Sequence, residues 1–173
     1  GLQNVDELLN VYHQQGIFMQ QEKGLVTSAE FRDVIRQMVG KPLTDQQIDD
    51  AWNSFLVDIP TYKLDLLLKL REKYVVYLLS NTNDIHWKWS CENVFPYRGF
   101  QVEDYFEKIY LSFEMKMVKP DTEIFETVLA DANIDPKETF FIDDSEANCL
   151  AAQALGISTY TPQANENWSH IFN

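Results

Sequence analysis

Residues 140–160 read FFIDDSEANCLAAQALGISTY, and the order of elements in this stretch decides the fold. Thr139 to Ile142 is apolar and aromatic and predicts a short strand. Glu146 to Leu155 repeats apolar residues at helical spacing until Gly156 stops it, and Ile157 to Tyr160 predicts a further strand. Two strands joined by a helix form a parallel pair, because parallel strands need a crossover connection. The same alternation runs upstream from about Ile59. Tyr62 to Lys73 is a leucine-rich helix, and Tyr74 to Leu79 is an apolar strand of the kind buried on both faces. Asp84 to Phe95 predicts a helix and Lys108 to Leu111 a strand. Asp121 to Ala132 predicts a helix with Ile124, Phe125, Val128 and Leu129 on its apolar face and Pro120 in its first turn. The sum is an α/β fold with a parallel sheet.

The first third carries helix signals alone. After Asn4, a candidate N-cap, Val5, Leu8, Leu9 and Tyr12 recur on one face until Gly16. Thr27-Ser-Ala-Glu30 and Thr44-Asp-Gln-Gln47 are capping boxes, each ahead of an apolar stripe. Phe31, Val34, Ile35 and Met38 follow the first, and Ile48, Ala51, Trp52 and Phe55 follow the second. The expected organisation is a helical lobe over residues 1–58 and an α/β core over 59–173.

Composition narrows the function. The 173 residues carry a formal charge of −13, which repels nucleic-acid phosphates and anionic membranes, so neither is expected as a partner. Cys91 and Cys149 are too few for a disulfide framework or a zinc site, which fits a reducing cytoplasm. His13, His86 and His170 show no metal-ligand spacing.

Three short segments follow apolar runs: LLSNTN at 78–83, MVKP at 117–120 and FFIDDS at 140–145. They deliver a hydroxyl, a lysine and a carboxylate pair. Ser80 and Asp143 fall at carboxyl ends of strands, where open parallel sheets bind ligands. A hydroxyl and an ammonium donate to phosphate oxygens, while Asp143 and Asp144 suit Mg²⁺. Each segment also has an ordinary reading. Ser80-Asn81-Thr82 is a common strand exit and helix cap, Lys119 before a proline is often solvated, and one aspartate could cap the helix at Glu146. Trp87 and Trp89 read as core or lobe contacts, and Trp168 as an anchor for the C-terminus.

LLSNTN, MVKPDTEIF and FFIDDSEANCLAAQALGI resemble the second, third and fourth motifs of the haloacid dehalogenase-like hydrolases, in the subgroup with a helical cap, and EKGLVTSAEF at 22–31 is similar to part of that cap. The closest flavour is the small-molecule phosphatases, some of which act on sugar phosphates. The resemblance implies a Rossmann-like parallel core and a small phosphorylated metabolite as substrate. Ser80 and the backbone around Asn81 would bind the phosphoryl group, Lys119 would offset charge between that group and the nucleophile, and Asp144 with Asp143 would hold Mg²⁺. Many relatives carry a further acid where this chain has Asn148.

The family's first motif, an apolar strand ending in Asp-x-Asp, has no counterpart here, so the central first strand and the attacking aspartate are expected to be missing. Two expectations follow. One is a Mg²⁺-dependent phosphatase working through an aspartyl-phosphate when intact, with the present chain truncated at its start. The alternative is a non-catalytic remnant that binds phosphate, Mg²⁺ or a protein partner. Neither the substrate nor the oligomeric state is legible.

Overall fold

A computed structural model describes residues 16–172, so the helix expected after Asn4 lies outside the described residues. The chain divides into two compact units, one running to Lys116 and one beginning at Met117.

The described part of the first unit starts with helices α1 (Ile17–Glu22), α2 (Ser28–Val39) and α3 (Asp45–Asn53). Both capping boxes form as read. The Thr27 side chain accepts from the Glu30 N–H and Thr44 from that of Gln47, while Glu30 and Gln47 reach back to the cap N–H groups. Gly40 then ends α2 in the left-handed region with φ of 67°. Arg32 grips Asp49 through two nitrogens at 2.7 and 2.8 Å, tying α2 to α3. Phe18, Phe31, Ile48 and Ile85 form a buried cluster with the half-buried Trp52 against it. Gly24, with φ of +60°, lets the turn after α1 reach the chain near Phe113, where a Cβ would stand 1.9 Å from the Phe113 carbonyl oxygen.

The same unit continues through α4 (Thr61–Arg71), β1 (Tyr77–Ser80), α5 (Asp84–Asn93), α6 (Val102–Tyr105), β2 (Lys108–Leu111) and α7 (Ser112–Met115). β1 and β2 are parallel, with Tyr77 opposite Lys108 and Ser80 opposite Leu111. The strand begins at Tyr77 rather than Tyr74 and ends at Ser80 rather than Leu79. The reason is the helix exit: the Tyr74 N–H still bonds the Leu70 carbonyl at 2.8 Å, so Tyr74 and Val75 are spent on the turn and exposed. β1 is also half-buried along its length rather than buried on both faces. Leu64, Phe95, Val102, Tyr105 and Phe106 form the core here, with Trp87 packed against it. Tyr105 is fully buried and satisfies its hydroxyl by donating to the Phe95 carbonyl at 3.0 Å.

The second unit holds α8 (Thr122–Ala132), β3 (Phe140–Ile142), α9 (Glu146–Ala154) and β4 (Ser158–Tyr160). Pro120 stands outside α8 rather than in its first turn, because Asp121 takes the N-cap position. Ile124, Phe125 and Val128 are buried as expected, and the Phe125 ring meets Phe141 edge-on at 5.3 Å. β3 and β4 are parallel, with Phe140 opposite Ser158 and Ile142 opposite Tyr160. The Phe172 ring meets Phe140 edge-on and Trp168 packs on Phe172, so the tail is held by aromatic contacts.

The architecture is α/β, mostly helical, with short parallel strands. Among the described residues the strands form two parallel pairs, β1 with β2 in the first unit and β3 with β4 in the second.

Candidate active site

In the first unit Ser80 is the last residue of β1, half-buried, and Asn81 follows it. The loop they begin is fixed from both sides. Ser112, fully buried just past the end of β2, accepts from the Thr82 N–H and donates to the Thr82 carbonyl, each at 2.9 Å. Asn83 is 1 % exposed and caps α5, its side-chain oxygen accepting from the His86 N–H at 3.0 Å. The loop is therefore tied down through Thr82, and the helix is capped by Asn83.

His86 extends this framework. Its ring stacks on Trp52 at 4.7 Å, and Nε2 lies 3.1 Å from the Trp52 carbonyl oxygen. Burial holds its pKa below the ordinary value, opposed by that hydrogen bond.

In the second unit Lys119 Nζ donates to Asp143 Oδ2 at 2.7 Å, with both side chains 8 % exposed. Asp143 Oδ1 accepts from the Ser145 N–H and from Asn148 Nδ2, each at 2.9 Å. The carboxylate at the end of β3 is thus surrounded by three donors from three positions in the chain. A buried charge needs this much compensation, and removing any donor leaves it partly unpaired. Asp144 is exposed and makes no hydrogen bond among the described residues. Ser145 takes the N-cap position of α9 without a side-chain bond, so Asp143 meets part of the capping demand as well.

The acidic pair therefore has two different surroundings. Among the described residues no group of three or more His, Cys, Asp or Glu could hold a metal ion. Mg²⁺ does not require one, since it is often bound by one or two carboxylates, substrate phosphate oxygens and waters. The exposed Asp144 fits that demand better than Asp143, whose oxygens are already engaged.

The sequence singles out Ser80, Lys119 and the aspartates, and it does not assign the bonds that Ser112 makes to Thr82 and Asn148 makes to Asp143. Asn148 sits in the first turn of α9, facing back toward Asp143, a spacing visible in the sequence once the helix start is fixed. Ser112 carries no such signal, because its partner is thirty positions away.

This chain belongs to the haloacid dehalogenase-like hydrolases. A profile of that description matches residues 96–161. Over 168 residues the chain is 38 % identical to the D-ribitol-5-phosphate phosphatase of Bacteroides thetaiotaomicron, spanning 97 % of this chain and 82 % of that protein. A HAD family enzyme of the same bacterium, solved with magnesium and inorganic phosphate, is 73 % identical with a TM-score of 0.95, over 100 % of this chain and 86 % of that one. The two identities differ too far, over similar spans, for these to be one protein. A HAD-like family hydrolase from Porphyromonas gingivalis is 36 % identical with a TM-score of 0.89, over 97 % of this chain and 82 % of its own.

Proposed function

We propose that the protein is a Mg²⁺-dependent phosphatase acting on a small phosphorylated sugar or polyol, with residues 1–58 serving as a helical cap over a core of 59–173. The observation that carries this reading is the buried Lys119–Asp143 pair beside an exposed, uncommitted Asp144. Lys119 is held by Asp143 and presents positive charge where a transferring phosphoryl group develops negative charge. Asp143 orients Lys119 and is itself fixed by Ser145 and Asn148. Ser80, with the backbone at Asn81, donates to a phosphoryl oxygen. Asp144 would hold Mg²⁺, which when bound neutralises charge on the phosphate oxygens. The covalent step of this family uses an aspartate in an Asp-x-Asp motif, which residues 1–173 do not contain.

D-ribitol 5-phosphate is the first substrate to test, because a relative is named for it. The complete natural protein is assayed against a panel of phosphate esters with and without Mg²⁺. Turnover that needs the metal and falls by about 10²-fold or more in Lys119→Ala and Asp144→Asn is expected. Turnover indifferent to both substitutions overturns the reading.

A further inference from the structure

The loop that would hold the phosphoryl group is anchored upstream by the β1–β2 ladder, where Ser80 faces Leu111, and downstream by the Asn83 cap on α5. Between these anchors lie Asn81 and Thr82. The Thr82 N–H and carbonyl belong to two successive peptide planes. The single Ser112 hydroxyl accepts from the first group and donates to the second, each at 2.9 Å, so it serves one residue in both of its roles. Because each peptide unit is flat, fixing those two groups fixes the turn of both planes. Asn81 alone separates Thr82 from Ser80, so slack at Thr82 passes directly to the groups that would donate to phosphate. Ser112 is itself held in place. It is 0 % exposed, Leu111 before it belongs to the ladder, and the carbonyl of Phe113 after it lies where a Cβ on Gly24 would stand 1.9 Å away.

We propose that Ser112 is a positioning residue for phosphate binding, setting the aim of the Ser80 hydroxyl and the Asn81 backbone through Thr82. This rests on the phosphatase reading above and adds a residue outside the three segments that suggested it. Full burial keeps Ser112 from touching the substrate, so its effect runs entirely through the loop. Donors aimed in advance need no reorganisation when the anion arrives, whereas a loop left to swing must be ordered at that moment. Losing the hydroxyl therefore weakens phosphate binding as well as folding.

The test is a double-mutant cycle in the complete natural protein, with binding of inorganic phosphate in the presence of Mg²⁺ read by calorimetry. Ser112→Ala should weaken phosphate binding about tenfold, the loss expected when a hydrogen bond to a charged group is misaimed. In a Ser80→Ala background the same change should weaken it by less than about threefold, because groups that act as a unit are not additive. The fall in melting temperature should be equal in both backgrounds, and Mg²⁺ affinity without phosphate should stay unchanged. An undiminished effect in the Ser80→Ala background, no effect on phosphate at all, or an equal loss of Mg²⁺ and phosphate would overturn the proposal. If thermal melting shows that Ser112→Ala does not fold, Ser112→Cys takes its place, keeping a side-chain group there while weakening both bonds. Ester turnover is measured separately. An unaltered protein that binds phosphate but turns over no ester ends the phosphatase reading alone, and the cycle still decides on Ser112.

Discussion

His86 shows how one side chain ties stability to pH. Burial against Trp52 favours its neutral form, so its folded pKa lies below the unfolded value near 6.5. The unfolded chain therefore binds the proton more readily. The stabilisation is fully present above about pH 6.5 and is lost as pH falls through the folded pKa. Urea unfolding at pH 7.5 and 5.5 should show a larger drop in stability for the unaltered protein than for His86→Phe, which keeps a ring against Trp52. An equal drop in both would place the pH dependence elsewhere. At this scale the sequence announces chemistry better than partnership. Lys119 and the Asp143-Asp144 pair are visible because ionisable residues beside apolar strands demand an explanation. Asn148 and Ser112 are not, because an amide or hydroxyl has meaning only beside the group that the fold brings to it.

Elements were legible where their signals are local. Both capping boxes bind within four residues, so the starts of α2 and α3 can be read directly. Thr27→Ala and Thr44→Ala should each cost about 1 kcal/mol in urea unfolding, as lost N-caps do. A cost near zero for both would mean the boxes frame helices held wholly by packing. β1 moved because the exit of α4 consumed residues that composition alone assigns to a strand. The short helices α1, α6 and α7 escaped notice, since four to six residues show too little periodicity to separate from a turn.

Across the whole molecule the net charge of −13 sets the long-range field, and it is legible from composition without any fold. A phosphate ester approaches this field against repulsion, whereas Mg²⁺ approaches it with attraction. Raising salt from about 10 to about 150 mM shortens the screening length from about 30 to about 8 Å. Under saturating Mg²⁺, kcat/KM for a phosphate ester should rise with salt, while the affinity for Mg²⁺ measured by calorimetry should fall. Opposite signs would mean that local cations, not the net charge, govern approach. The two parallel strand pairs carry a consequence of another kind. Facing residues are separated by about thirty positions in β1–β2 and by about eighteen in β3–β4. Because closure entropy grows only with the logarithm of loop length, the longer crossover costs about 0.5 kcal/mol more to close. Chain entropy thus gives neither pair precedence during folding, and the race between the two halves is left to the speed at which each crossover helix finds its apolar face.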